Sequence, residues 1–298
     1  MKIAITGGTG LVGKQLVQQL QLAGAEILVL TRGQSHFSDG IHYIQWLSDN
    51  TFPEKYLEGV EVIVNLAGTS LNNGRWSKAL KEEIYSSRIS ATKEVLRIIK
   101  TLKIPPEVLI NASAIGIYPS SDKQKYTEAS TEKAQDFLAN TIQDWEATAK
   151  IAESLGVRVV LSRFGVILGK SAGALPMMVM PYKLFIGGTV GTGTQWVSWI
   201  HLEDVVHAIL FSINQKNING IVNFTSPNPV TMKEFGKTIG EVLHRPHWFP
   251  VPSILMKLAL GEKSQLVLDG QYVQPNSLLN ANYQFKYPTL KSALENLL

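Results

Sequence analysis

No stretch constrains this chain more than Thr6-Gly7-Gly8-Thr9-Gly10-Leu11-Val12-Gly13. Before it, Lys2-Ile3-Ala4-Ile5 reads as a short buried strand; after it, Leu11, Leu16, Val17 and Leu20 form an apolar stripe at helical spacing. Strand, glycine-rich turn and helix start, in that order, bring unpaired backbone N–H groups and the positive end of a helix dipole to one point. Gly7, Gly10 and Gly13 stand where a Cβ would keep a pyrophosphate off the backbone, with Thr9, Leu11 and Val12 completing the turn. The stretch is read as the phosphate cradle of a dinucleotide; the alternative is that the glycines serve only the tightness of the turn.

The next apolar run, Glu26-Ile27-Leu28-Val29-Leu30, reads as a second strand and ends in Thr31-Arg32. A site for NAD normally carries Asp or Glu there, which accepts from the ribose 2′-OH and would repel a 2′-phosphate. Arg32 offers instead a planar set of donors suited to phosphate, beside the neutral Thr31, so NADP(H) is the expected form. The other reading of Arg32 is a solvated surface cation. Asp39 lies beyond Gly33 in polar loop sequence and is a poor ribose ligand.

Among 298 residues there is no cysteine, which removes disulfides, thiolate metal sites and a Cys nucleophile together. His244 and His247 flank Pro246 without a carboxylate at ligand spacing, so no metal is expected. The net charge of +4 comes from scattered basic residues rather than a cluster, and no nucleic-acid partner is expected. The chain enters its first strand without an apolar leader, and its most apolar later stretch, Ala174 to Met180, is too short for a bilayer and contains Pro176. A cytoplasmic protein without membrane contact is expected, with a small molecule as its partner and a homodimer as an option.

The first half continues the alternation. Ile41 to Trp46 suits an edge strand, Val60 to Leu66 a buried one, and Trp76 to Leu102 a long helix stopped by Pro105 and Pro106. A strand at Glu107 to Asn111, a helix from Gln135 to Leu155 and a strand at Val157 to Leu161 follow. Strand, helix, strand order implies right-handed crossovers and a doubly wound parallel sheet, which takes ligands at its carboxyl edge. Beyond about Phe164 glycine-rich loops and prolines interrupt the rhythm, and Thr231-Met232-Lys233-Glu234 reads as a capping box opening a helix. The expected division is a dinucleotide domain over 1–165, to which 200–225 returns, and a smaller α/β substrate lobe over 166–298.

With these residues the chain resembles the extended, epimerase-like members of the short-chain dehydrogenase/reductase superfamily, and more closely the atypical group called epimerase family proteins, or sugar-nucleotide epimerase-like oxidoreductases. The resemblance covers nearly the whole chain. It rests on Thr6 to Gly13, Thr31-Arg32, Asn65-Leu66-Ala67-Gly68, Ser87 to Thr92, Ser113 to Tyr118 and Trp145-Glu146, then on Arg163 to Gly169, Trp199 to Asp204 and the stretches around Arg245-Pro246 and Val251-Pro252. It implies a Rossmann fold with NADP(H) on the first turn and Arg32, with Leu66, Ala67 and Gly68 flanking the adenine-ribose side, and residues near Ala112 and Phe164 at the nicotinamide end. Arg88 stands where extended members often carry Asn, and is read either as a further cofactor contact or as a solvated helix residue.

The superfamily's proton-transfer pair, a Tyr with a Lys four residues later, is missing: aligning Glu146 with the family's glutamate puts Leu138 and Ile142 in those places. The accompanying Ser or Thr falls on Ala114, next to Ser113. The resemblance to the closer group implies that its members share the gap. Three residues are candidates to replace the pair, each with a plainer reading: Ser113 as donor to a carbonyl or as a turn residue, Glu128 as acid or base or as a loop carboxylate, His201 as a proton carrier or as a structural histidine. The loop Gly187 to Trp196 is the substrate-side candidate, although a hairpin turn explains its glycines equally well, and Trp145, Trp196 and Trp199 line a pocket or fill a core. Two functions follow: an NADP(H)-dependent oxidoreductase or epimerase-like enzyme acting on a small polar or nucleotide-linked carbonyl or alcohol, or a non-catalytic NADP(H)-binding redox sensor.

Overall fold

The computed structural model describes residues 1–298. Its first half runs β1 (Lys2–Thr6), α1 (Leu11–Leu22), β2 (Glu26–Thr31), β3 (His36–Ser38), β4 (Ile41–Gln45), β5 (Val62–Asn65), α2 (Lys78–Thr101), β6 (Val108–Ala114), β7 (Lys125–Tyr126), α3 (Phe137–Lys150) and β8 (Arg158–Phe164). There follow β9 (Val166–Leu168), α4 (Leu175–Lys183), β10 (Trp196–Val197), β11 (Trp199–His201), α5 (Leu202–Asn214), β12 (Gly220–Phe224), β13 (Val230–Thr231) and α6 (Met232–Leu243). The chain closes with α7 (Ser253–Leu260), α8 (Gln265–Leu268), β14 (Tyr272–Val273), α9 (Asn276–Asn280) and α10 (Leu290–Leu297).

Eight strands form the central sheet in the order β12-β8-β6-β5-β1-β2-β4-β3, parallel except for the antiparallel β3. Chain order departs from β1 in both directions, first toward β2 and β4, then through β5 toward β6, β8 and β12. The switch point therefore lies between β1 and β5, where such sheets open a crevice. Ile41 to Gln45 is not the edge, as its alternation suggested, because the three-residue β3 pairs outside it. His36-Phe37-Ser38 is too short to show a period of its own.

Both faces of the sheet are covered, which explains the nearly continuous apolar strands. Ile3 and Ile5 on one face meet Leu16, Val17 and Leu20 of α1 and Val205, Val206 and Ile209 of α5; Ala4 on the other meets Ala91, Val95 and Ile98 of α2 and Ala149 of α3. Each such aliphatic side chain contributes about 1.5–3 kcal/mol by leaving water. Ser77 caps α2, its Oγ accepting from the Leu80 amide at 3.2 Å, and Asp136 caps α3 in the same way at 2.9 Å from Ala139.

A separate core joins the later elements: Leu175, Val179 and Tyr182 of α4, Phe235 and Ile239 of α6, and Leu290, Leu294 and Leu297 of α10 pack around Trp199. The capping box at Thr231 and Glu234 is present, both halves made. Asp204, fully buried at the start of α5, accepts from the amides of Lys286 (2.7 Å) and Tyr287 (2.9 Å) and so fastens the C-terminal segment. α7 buries none of its residues; Arg75 donates to its final carbonyls at Leu258 and Ala259, and Lys263 just beyond it donates to Asn72 at 2.8 Å. No helix is long and apolar enough to cross a membrane.

Candidate functional site

Thr6 and Asn65, the last residues of β1 and β5, lie in register with Asn111 in the middle of β6, and all three are fully buried. Thr6 Oγ1 donates to Asn65 Oδ1 (2.7 Å) and accepts from the amides of Leu66 (3.1 Å) and Ala67 (3.0 Å). Asn65 Nδ2 donates to Asn111 Oδ1 (2.7 Å) and to Thr92 Oγ1 (3.0 Å), which also takes the indole N–H of Trp145 at 2.9 Å. A buried polar group left unpaired costs about 1–3 kcal/mol, so this closed set of partners fixes the loop Leu66-Ala67-Gly68 and the α2–α3 face at one geometry. Thr6, Asn65 and Asn111 each end an apolar run in the sequence, but only the fold places the three runs side by side.

Against that loop lies the glycine turn. Gly7 has φ +67°, and a Cβ on it would come within 2.7 Å of the Leu66 carbonyl oxygen; a Cβ on Gly13 would meet the backbone of Gly7 and lie 2.7 Å from Gly8 Cα. Gly10 starts α1 with no side-chain cap; its own N–H goes to Gly7 O at 3.0 Å, and Lys14 makes the first helical bond, to Gly10 O. The amides of Leu11, Val12 and Gly13 thus have no partner within the helix. A cradle closed to Cβ atoms and lined by free N–H groups fits a pyrophosphate. Thr9 and Gly10 are exposed at its mouth.

Past β2, Thr31 Oγ1 accepts the Gly33 amide at 3.1 Å and orders the bend that follows. Arg32 is exposed and forms no ion pair with any carboxylate. Its charge is available on the β2 side of the switch point.

On the other side, Ala112, Trp145 and Ile89 pack together with Leu66 and Phe164 against them, so the residues assigned from sequence to the two sides of the cofactor do meet. Beside them is a buried polar chain that the sequence reading lacked. Arg163 holds Glu146 with both forks, Nε to Oε1 (2.7 Å) and Nη2 to Oε2 (2.8 Å), and donates from Nη1 to the Tyr118 hydroxyl at 2.8 Å. Ser113 Oγ donates to Glu146 Oε1 at 2.6 Å. The Ser113 proton is therefore directed into the protein, toward a carboxylate that Arg163 already neutralises. Tyr118 shares its own proton between Thr127 O and Asn223 Oδ1, both 3.0 Å away, and burial pushes its phenol above the usual range. The place of the missing Lys is apolar: Ile142 packs with Ile115, Ile117 and Tyr126.

Arg88, on α2, donates from Nη1 to Thr69 O (3.1 Å) and Ile84 O (2.8 Å), while its guanidinium carbon lies 5.3 Å from the Trp145 ring centre. A Cβ on Gly68 would come within 3.2 Å of it. It is half-buried rather than solvated, and desolvation pushes its pKa down to about 10.

Neither of the two remaining acid–base candidates bonds Ser113, although Glu128 holds Asn223, whose side chain meets Tyr118. Glu128 Oε1 accepts from the amides of Asn223 (3.0 Å) and Ser277 (3.1 Å), tying its loop to β12 and α9, while Oε2 is buried without a partner. Both ring nitrogens of His201 are engaged: Nδ1 accepts the Glu203 amide (3.1 Å), capping α5, and Nε2 meets Asn296 Oδ1 (3.2 Å). It is 2% exposed, and burial lowers its pKa. The glycines of the 187–193 loop answer to close packing, since a Cβ on Gly187 or Gly188 would strike Tyr182 or the Phe249 backbone. Trp196 and Trp199 donate to Asp122 O and Asn228 O, outside the crevice described. His247 bonds Tyr182 and Thr189, and no group of three side chains is placed to hold a metal ion.

The profile of the NAD dependent epimerase/dehydratase family matches residues 3–224, and a domain of unknown function matches 251–297. Epimerase family protein YfhF of Bacillus subtilis is 45% identical over all of this chain and 98% of its own length; a Staphylococcus saprophyticus epimerase family protein is 45% identical over 98% of each. Among solved structures, human epimerase family protein SDR39U1 with NADPH superposes with a TM-score of 0.91 at 30% identity, covering 100% of this chain and 99% of that one. UDP-glucuronic acid 4-epimerase from Bacillus cereus, at 16% identity and a TM-score of 0.78, covers 99% of this chain and 97% of that one, and shares the fold. The chain belongs to the NAD-dependent epimerase/dehydratase family, as an epimerase family protein with a Rossmann-like α/β fold of the extended short-chain dehydrogenase/reductase type.

Proposed function

We propose that this chain is an NADP(H)-dependent oxidoreductase acting on a small polar or nucleotide-linked carbonyl or alcohol without the usual Tyr-Lys pair. The observation that carries the reading is the glycine cradle at the β1–β5 switch point, with three free helix amides on one side and the unpaired Arg32 on the other. In this reading the amides of Leu11, Val12 and Gly13 hold the pyrophosphate, Thr31 and Arg32 the 2′-phosphate, Leu66 to Gly68 the ribose, and Ala112 and Phe164 the nicotinamide side. NADPH in the human relative supports the phosphorylated form. A bound nicotinamide would supply or accept the hydride. The chain's own part is to shape a dry pocket with Trp145, Leu66 and Phe164, and to orient a substrate hydroxyl, which can donate to Ser113 Oγ because that oxygen's own proton goes to Glu146. Glu128 and His201 act as a brace and a helix cap.

A second reading, the redox-responsive binding protein, draws on the same site: the Ser113 proton is committed to Glu146, and Ile142 occupies the lysine's place. Purified protein loaded with NADPH is screened against aldehydes, quinones and nucleotide sugars while nicotinamide absorbance is followed. Turnover that falls about 100-fold in Ser113→Ala, and stays in His201→Asn, supports the enzyme. Tight binding with no turnover on any of them supports the sensor.

A further inference from the structure

The most apolar stretch of the second half, Ala174 to Met180, has only one of its faces accounted for. Leu175, Val179 and Tyr182 turn one side of α4 into the core around Trp199, while Met177 and Met180, with Leu184 just past the helix end, lie at helical spacing on the opposite side and are each more than half exposed. α7 is the extreme case: Ile254 and Leu258 stand one turn apart, both 69% exposed, and no residue of the helix is buried. Isolated helices under about 12 residues are marginal in water, so an apolar helix of eight residues that buries nothing in the protein lacks the partner that normally sustains it. Trp248 joins the two segments, its indole N–H donating to Phe185 O at 2.9 Å and its amide to Gly187 O at 3.0 Å. Of the 21 large hydrophobic side chains exposed on the surface, ten lie in the two stretches 177–186 and 248–258, so these form a strip and not a scatter.

Both ends of the strip rest on the cofactor crevice. α4 opens two residues after Gly173, where a Cβ would come within 3.3 Å of the side chain of Leu11, the first residue of α1 at the cradle; a Cβ on Gly169 would come within 3.2 Å of the same side chain. α7 ends on the other bank, against the loop after β5: Arg75 donates to the carbonyls of Leu258 and Ala259, and Lys263 donates to Asn72 O at 2.8 Å. The strip therefore runs from the β1 side of the switch point to the β5 side, continuous with the place where the Proposed function puts the substrate, and the inference rests on that reading. We propose that the strip binds an apolar portion of the substrate: the carbonyl or alcohol is the polar end of a molecule whose remainder is hydrocarbon, held by Met177, Met180 and Leu184 on one side and by Ile254 and Leu258 on the other. Thioether and aliphatic side chains recognise hydrocarbon by excluding water and specify little else. A second copy of this chain or a bilayer would cover the same residues without any need for both ends of the strip to stand at the crevice.

The test uses the NADPH-loaded protein with a neutral fluorescent reporter, N-phenyl-1-naphthylamine, displaced in turn by butanol, hexanol, octanol and decanol. For wild type the affinity is expected to rise about two- to fourfold for each added CH2. Met180→Gln and Leu258→Gln, at exposed positions, should each weaken decanol at least about fivefold with NADPH affinity within about threefold of wild type, whereas Leu22→Gln, at the exposed end of α1, should change neither. Continuity with the crevice is read in stopped flow: decanol should slow NADPH release from wild type at least about threefold, and slow it less in Leu258→Gln at the same concentration. An affinity that does not rise with chain length, an equal loss in Leu22→Gln, or decanol that binds without slowing NADPH release overturns the inference. So does a strip with another occupant. A wild-type dimer in analytical ultracentrifugation that both variants make monomeric assigns the face to a second copy, and cosedimentation with phosphatidylglycerol vesicles that both variants abolish assigns it to a bilayer. Failure of the wild type to take NADPH defeats the cofactor reading itself; failure of the alcohols with NADPH bound defeats only the strip.

Discussion

Replacing Gly13 by Ala separates the cradle's role in binding from its role in folding. In an exposed helix interior this change would favour the helix by about 1 kcal/mol. Here the new methyl would meet Gly7 O, Gly8 Cα at 2.7 Å and Gly7 C at 2.9 Å, all backbone atoms that no rotamer change can move aside. Reaching ordinary contact at 3.4 Å from Gly7 O, the nearest of them, requires the turn to shift by more than about 1 Å relative to α1. An overpacking cost of about 1–3 kcal/mol outweighs the helix gain, so stability in urea should fall by up to about 2 kcal/mol. Binding should suffer more. Two amide bonds to a charged phosphate, at about 1.5 kcal/mol each when misaligned by that shift, amount to about 100-fold in NADPH affinity. Gly24→Ala is the control: Gly24 has φ +69° with open space around it, so its substitution should cost about 1–2 kcal/mol of stability and leave affinity unchanged. Fluorescence titration with NADPH alongside urea denaturation reads both quantities. A Gly13→Ala protein that binds NADPH within threefold of wild type would refute the reasoning.

Further outcomes are expected. Arg32→Asp should weaken NADPH at least tenfold while leaving NADH unchanged or tighter, measured by the same titration; equal losses would take Arg32 out of its assigned role. Glu146→Gln leaves the Arg163 guanidinium buried without its counter-charge and should cost about 3–5 kcal/mol in urea unfolding, far more than removing an exposed partner such as Glu241 from Lys291. His201 has its pKa lowered by burial, so the unfolded chain binds the proton more readily than the folded one. Stability is accordingly full above the unfolded value near 6.5 and is lost as pH falls through the folded pKa; His201→Asn, which can still cap α5, should flatten the decline of urea midpoint between pH 7 and 5. An unchanged pH profile in that variant would remove His201 from the acid sensitivity.

The parts legible in the sequence are those that local physics fixes. Gly7 and Gly13 follow from steric exclusion at a turn, the capping box at Thr231 from two orphan donors, and the alternating elements of the first half from burial of both sheet faces. Six of the eight strands follow from them; β3 is placed by the hairpin with β4, and β12 was read only within the segment 200–225 that returns to the first domain. What could not be read was pairing across long separations. Nothing near Glu146 in sequence announces Arg163, seventeen residues on, and nothing near Tyr118 announces Asn223. The same limitation affects Ser113: its position at the end of β6 was readable, but the direction of its proton depends on Glu146 in a helix that only the fold brings alongside. Arg88 was recognisable as a departure from the family's usual Asn, and its place against Gly68 and the Trp145 ring became visible only in the fold.

The central claim is that a phosphorylated nicotinamide dinucleotide lies across the β1–β5 switch point. A crystal structure of the protein grown with NADPH tests it most directly. It should show the pyrophosphate on the amides of Leu11 and Val12 and the 2′-phosphate on Arg32, with the nicotinamide toward Ala112 and Phe164. A crevice left empty at saturating NADPH, or a nucleotide bound with its 2′-phosphate away from Arg32, would contradict it.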